Sequence, residues 1–140
     1  MGGRRVDEPG LARFGQELAR ALRPPPAVVV GIAGELGTGK TTLVRAIAGG
    51  LGVTEPVTSP TFALVHRYAG AAATIYHVDG YRLKRPTEAA DLGLDDVLAE
   101  PDSVVLIEWP EKLGEWLPEL AHRITLSYTD DPGLRLLETS

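Results

Sequence analysis

The chain contains no cysteine, so neither a disulfide framework nor a thiolate metal centre is open to it. Zinc fingers, iron–sulfur clusters and thiol catalysis are excluded on that ground. An excess of positive charge is missing too: 14 Lys and Arg stand against 19 Asp and Glu, a formal net charge of -5. Gripping nucleic acid alone needs a concentrated basic face, so any contact with RNA is expected to be indirect, shared with a partner. The longest apolar run, 27–33, falls far short of the ~20 residues that span a bilayer. Arg4 and Arg5 have no apolar stretch behind them, which fits neither a signal peptide nor a twin-arginine export signal, and Val6 stands where a myristoylation signal places Ser or Thr. The expectation is a cytoplasmic protein with no membrane contact. What is present is an ordinary globular composition, 44% hydrophobic and 24% charged, with 16 Gly and 11 Pro, below the level of disordered or collagen-like chains. A length of 140 residues suits one domain over 1–140, in which roughly two-thirds of the unfolded surface can be buried.

Periodicity then divides the chain. Leu11, Phe14, Leu18 and Leu22 recur at spacings of three and four and predict an amphipathic helix over Glu8 to Leu22, stopped by Pro24, Pro25 and Pro26. Val28 to Ile32 is a β-branched run without polar alternation, the pattern of a strand covered on both faces. A glycine-rich turn leads into a helix over Lys40 to Leu51, with Leu43, Ile47 and Leu51 on one face and Gly52 as its cap. After a linker with Pro56 and Pro60, Phe62 to Tyr68 and Thr74 to Val78 read as a hairpin turning near Gly70. Pro86 to Ala99 reads as one or two short helices capped by Thr87, and Ser103 to Ile107 as a second fully apolar strand. Ile124, Leu126 and Tyr128, a turn at 130–133 and then Leu134 to Leu137 predict a closing strand pair. The fold expected is α/β, a P-loop NTPase arrangement with a mixed, partly parallel sheet flanked by helices: two central parallel strands with antiparallel additions.

Gly34-Glu35-Leu36-Gly37-Thr38-Gly39-Lys40-Thr41 fits the phosphate-binding loop, and it lies where the mechanism needs it, after a buried strand and opening a helix. Glycines let main-chain amides wrap a phosphate, and the helix N-terminus adds unpaired donors and a favourable dipole. In such a loop Lys40 reaches the β- and γ-phosphates and the Thr41 hydroxyl binds Mg2+, while Glu35 to Thr42 supply the remaining nucleotide contacts. An acid at the tip of a neighbouring strand is also required. Glu108, after the more apolar run, is the first choice against a surface acid before a turn; Asp79 is the second, against a simple turn cap. No Asn-Lys-x-Asp segment for reading guanine occurs, which favours ATP as the nucleotide. Ser59 and Thr61, flanking Pro60, are placed to sense the γ-phosphate as a switch loop, or form an ordinary turn.

The run 34–42, then Ser59-Pro60-Thr61-Phe62, then His77-Val78-Asp79-Gly80-Tyr81-Arg82-Leu83, then Ile107-Glu108-Trp109-Pro110, resembles in that order the TsaE (YjeE) family. These are small bacterial ATPases of tRNA threonylcarbamoyladenosine synthesis. The resemblance implies that Thr41 and Glu108 coordinate Mg2+, that Asp79 belongs to the catalytic surroundings with Lys40 and Glu108, and that 59–61 acts as a switch. It also implies partners, TsaD and TsaB, which transfer the threonylcarbamoyl group that TsaC activates, with ATP hydrolysis resetting the assembly. Gly80 departs from the bulkier apolar residue common there, and Asp7 to Leu11 lacks the Ser or Thr expected near the adenine.

Two other classes share this loop: a small-molecule kinase, for which Arg67, Arg82 and Arg85 offer scattered lid candidates, and a non-hydrolysing nucleotide-dependent assembly factor. His77 at a strand end reads as a packed, hydrogen-bonded residue rather than a base. Arg82 is placed to pair with Asp79 or Glu88, or to present its charge to a partner or a phosphate; Trp109 reads as packing, and Trp116 with Leu113 and Leu117 as a short amphipathic turn in the core or an interface.

Overall fold

Two segments, β2 (Val28–Gly34) and β5 (Ser103–Glu108), the second apolar from Val104 to Ile107, pair in parallel at the centre of the sheet. The computed structural model describes residues 2–22, 27–57 and 64–140. Around the central pair the described residues form β1 (Gly2–Val6), α1 (Glu8–Ala21), α2 (Lys40–Gly50), β3 (Val65–Ala69), β4 (Thr74–Asp79), α3 (Leu94–Ala99), β6 (His122–Tyr128) and β7 (Arg135–Thr139). Short 3₁₀ helices occupy Gly80–Arg82, Pro86–Leu92 and Pro110–Trp116. The strand order is β1-β7-β6-β2-β5-β4-β3. No helix among the described residues is long and apolar enough to cross a membrane.

The mixed, helix-flanked sheet is the architecture expected, but its parallel core is wider. β6, β2, β5 and β4 all run parallel, four strands where two were expected, while β7, β1 and β3 pair antiparallel. Long crossovers, 80–102 and 109–121, carry the chain back before β5 and β6 begin, and connection length rather than strand composition decides direction. β1 was not expected. Gly2, Gly3, Arg4 and Arg5 have little strand propensity, yet they lie on the open edge of β7, where only Val6 reaches the core. The first residues of the expected strand 62–68 lie partly outside the described residues, and β3 begins at Val65.

Both faces of the sheet are covered, which is why β2 and β5 read as unbroken apolar runs. Val30, Ile32, Val104, Leu106, Ile124 and Leu126 pack against α1 and α2; Val29, Val78, Val105 and Ile107 pack against Leu83, Ala89, Leu94 and Leu113 from α3 and the 3₁₀ segments. Trp116, grouped in sequence with Leu113, stays 43% exposed. Asp7 caps α1, its Oδ1 accepting from the Gly10 amide at 2.8 Å. Thr87 is not the cap expected for 86–99. Pro86 starts the 3₁₀ helix ahead of it, and the Glu88 carboxylate reaches back to the amides of Lys84 and Arg85 at 2.9 and 3.0 Å.

Helices α1 and α2 approach closely through small residues: a Cβ on Gly15 would lie 2.6 Å from Ala46 Cβ, and one on Gly50 would lie 2.6 Å from Ala19 Cβ. Gly49, on the same helix, has nothing within 4 Å of the corresponding point. Gly15→Ala is therefore expected to destabilise the fold by about 1–3 kcal/mol through overpacking. Gly49→Ala is expected to stabilise it by about 0.5–1 kcal/mol by restricting the unfolded chain. Urea unfolding of the two variants checks the pair, and effects of equal sign would contradict the packing described.

Candidate functional site

The loop between β2 and α2 is held from inside and outside. Gly34 has φ +152°, and a Cβ there would lie 2.5 Å from the Leu126 carbonyl oxygen and 2.7 Å from Thr38 Oγ1; Gly39, at φ +109°, leads into α2. Inside, the buried Thr38 hydroxyl donates to the Glu35 carbonyl at 2.7 Å. Outside, the Tyr128 hydroxyl donates to the Leu36 carbonyl, and Arg135 Nη2 donates to the Gly37 carbonyl at 3.4 Å. The Arg135 guanidinium also lies over the Tyr128 ring, 4.8 Å from its centroid. Sequence reasoning missed these two braces, since strand patterning says nothing of a side chain reaching a distant loop.

Lys40 opens α2 with its side chain turned back toward β2 and only 5% of the residue exposed. Its ammonium donates to the carbonyls of Gly34 and Glu35, both at 2.7 Å, and stands 4.5 Å from the centroid of the Trp109 ring. Burial pulls its pKa below 10.5, opposed by the negative charges of Glu108, Glu111 and Asp79. Trp109, read from sequence as packing, is a wall of the site. It sits at φ 56°, donates its amide to Ile32 at 3.1 Å and tilts against Tyr81 at 5.0 Å between centroids.

The two acids come together because β4 and β5 are parallel neighbours that end level, with Asp79 opposite Glu108. Asp79 caps the turn that follows, Oδ1 accepting from the Tyr81 amide at 3.1 Å, and its Oδ2 lies 3.5 Å from Arg82 Nε. Glu108 is buried, and its Oε2 lies 2.5 Å from His77 Nε2. His77 is thus packed and hydrogen-bonded as expected, but its partner is the candidate metal ligand. Gly80 is required by the close crossing here: a Cβ would lie 2.6 Å from the Trp109 carbonyl oxygen and 2.8 Å from that of Glu108.

A cavity of 330 Å3 unites Leu36, Gly37, Gly39, Lys40, Thr41 and Thr42 with Asp79, Tyr81, Glu108 and Trp109. A second, of 230 Å3, shares Gly37, Gly39 and Thr42 with it and is completed by Asp7, Glu8, Leu11, Thr38, Pro132, Gly133 and Arg135. Of the expected loop residues, Glu35 supplies its carbonyl to Lys40 and Thr38 but does not line the first cavity, and Thr38 lines the second. Ser59 and Thr61 lie outside the described residues.

The candidate metal donors on the first cavity, the Thr41 hydroxyl and the carboxylates of Asp79 and Glu108, are all hard oxygens. Among the described residues no group of three or more His, Asp and Glu converges on one point as a protein-only metal cage would. The oxygen donors themselves fit a hard cation such as Mg2+, which keeps waters and is held by one or two carboxylates together with phosphate oxygens.

The lowered pKa of Lys40 has a consequence for stability. Between its folded value and 10.5 the unfolded chain binds more protons at this residue, so Lys40 adds stability as pH rises through that window. The stability difference between wild type and Lys40→Met is expected to shift in favour of the wild type from neutrality toward pH 10.5. Denaturant unfolding at a series of pH values measures it, and a flat difference would mean that the ammonium is not desolvated.

Known proteins resemble this chain in sequence and in fold. The family model described as "Threonylcarbamoyl adenosine biosynthesis protein TsaE" matches residues 6–135. A tRNA threonylcarbamoyladenosine biosynthesis protein TsaE from Haemophilus influenzae is 41% identical over 128 residues, covering 89% of this chain and 80% of its own. The protein of that name from Streptomyces coelicolor is 45% identical over 112 residues, covering 78% and 73%. A crystal structure of Bacillus subtilis YdiB superposes with a TM-score of 0.79 at 29% identity, covering 99% of this chain and 82% of that one. With the family model matched over residues 6–135, the chain belongs to the TsaE family of tRNA threonylcarbamoyladenosine biosynthesis proteins.

Proposed function

We propose that the protein is a MgATP hydrolase whose cycle serves the TsaD–TsaB complex in tRNA threonylcarbamoyladenosine synthesis, meeting tRNA only through that complex. The observation that carries this reading is the single cavity in which Lys40, Thr41, Asp79 and Glu108 meet at the mouth of the glycine loop. The second cavity, which shares Gly37, Gly39 and Thr42 with the first, is the place we propose for the nucleoside.

The chemistry follows from what each group holds. The Lys40 ammonium rests on two neutral carbonyls, and anionic β- and γ-phosphate oxygens are stronger acceptors for it than those carbonyls. The loop glycines and the start of α2 offer main-chain amides to the same phosphates. Thr41 and Glu108 would hold Mg2+, which when bound neutralises charge on the phosphate oxygens. Asp79 and Glu108 orient the attacking water. Its oxygen bonds to the γ-phosphorus as the bond to the β–γ bridging oxygen breaks, its proton passes by way of a carboxylate to solvent, and ADP and inorganic phosphate leave. Catalysis here is positioning and electrostatics.

No arginine is among the described residues lining the phosphate cavity, and Arg82 and Arg67 are engaged by Asp79 and Glu100. An arginine finger is worth about 10³–10⁵ in rate, so turnover by the protein alone is expected to be slow. Hydrolysis of labelled ATP is expected to release only inorganic phosphate and to rise at least ~10-fold when TsaD and TsaB are added. Label in an organic product would point instead to a kinase, and absence of hydrolysis with nucleotide-dependent complex formation to an assembly factor. Thr41→Ala is expected to weaken ADP binding by more than about tenfold in Mg2+ while leaving it unchanged in EDTA. Calorimetry measures both, and equal losses with and without metal would remove Thr41 from the metal site.

A further inference from the structure

We propose that His77 is a positioning residue for Glu108: its Nε2–H holds one carboxylate oxygen so that the other alone is presented to the metal–nucleotide. The inference rests on the reading that MgATP occupies the phosphate cavity. It begins with a polar side chain in an apolar place. His77 is 0% exposed on β4, on the same face of the sheet as Ile75, Leu106 and Glu108. A branched aliphatic residue would pack there at no polar cost, and its neighbours on that face show that the site suits one. The imidazole is moreover only half satisfied. Nδ1 has no hydrogen-bond partner among the described residues, and a buried unpaired nitrogen is unfavourable in a core. Packing therefore does not account for His77, whereas the bond made by its other nitrogen does.

That bond runs 2.5 Å from Nε2 to Glu108 Oε2. An ionised carboxylate only accepts, so in this bond Nε2 carries the hydrogen. Glu108 ends β5 on a flexible two-carbon stem. A carboxylate free to turn would offer either oxygen in a range of directions. The imidazole is fixed by the strand that carries it and by burial on every side, and it arrests the turn. Asp79, level with Glu108 on β4, takes its own support from the Tyr81 amide and Arg82, so the two acids are oriented independently. Partners of this kind, one step behind a metal ligand, commonly govern metal affinity by about 10–100-fold.

The test compares ADP binding by calorimetry in saturating Mg2+ and in EDTA for wild type, His77→Leu and His77→Gln. In His77→Leu, ADP affinity in Mg2+ is expected to fall ~10–100-fold and the Mg2+ needed for half-maximal effect to rise in step, with affinity in EDTA unchanged. His77→Gln, whose amide nitrogen reaches near the position of Nε2, is expected to recover most of the loss. Unaltered metal dependence in a folded His77→Leu, or equal losses in both variants with and without metal, overturns the proposal. Because His77→Leu can fail to fold, the wild type supplies a second measurement. Two-bond 1H–15N correlations are expected to show His77 as the Nε2–H tautomer, with shifts that move in Glu108→Gln; an unprotonated Nε2, or shifts indifferent to Glu108→Gln, overturns it as well. Failure of the wild type to bind ADP under either condition would instead remove the MgATP reading, and the imidazole spectra would still report on the bond.

Discussion

Lys40 carries an ammonium into a place from which water is largely excluded, and a charge so placed must be met by dipoles or by opposite charge. Two carbonyls at the end of β2 meet it directly, the face of Trp109 lies against it, and the carboxylates of Asp79 and Glu108 stand across the cavity. None of these partners belongs to the helix that carries Lys40. The loop must fold back over the helix start to supply the carbonyls, β5 must end beside β2 to supply the indole and one acid, and β4 must end level with β5 to supply the other. The resting charge is satisfied by neutral acceptors, which leaves it available to stronger, anionic ones.

The sheet does the positioning. Four parallel strands end on the same side, and ligands of such sheets gather outside the carboxyl ends of the strands. The chain leaves β4 and β5 in a tight crossing, where Gly80 runs against the main chain of Glu108 and Trp109 with no room for a side chain. Trp109 accepts a left-handed backbone conformation there, unfavourable for a bulky residue, and its amide bond to Ile32 ties the crossing to β2. Strain at the rim of the cavity is thus borne by the apolar strands beneath it. On the helical face Gly15 and Gly50 let α1 lie close on α2, which seats the loop end of α2 against Leu11.

Part of this is legible in the order of the amino acids. The stretch 34–41 is recognisable because a phosphate loop is built from consecutive residues, each needed for a reason that acts within one turn of chain. Helices α1 and α2 are legible because 3.6-residue periodicity writes the buried face directly into spacing, and β2 and β5 because burial on both faces removes polar alternation. Asp79 and Glu108 can be named, though not paired, since each follows a strand and nothing local says that the strands are neighbours.

The sequence by itself therefore determined the glycine-rich loop of 34–41, the helix that follows it, the two apolar strands and the candidate acids. Tertiary structure decided the rest. It laid β1 on an edge that Gly2 to Arg5 would not have sought, turned β4 and β6 parallel to the centre, and set Tyr128 and Arg135, 92 and 98 residues from the carbonyls they hold, against the loop. It also brought His77 to Glu108 across 31 residues and made a wall of Trp109. The physical reason is one of range. Capping, turn chemistry and periodicity act over a few residues and can be read from spacing, whereas contacts between strands depend on register and order, which the whole hydrophobic pattern settles only when the chain has folded.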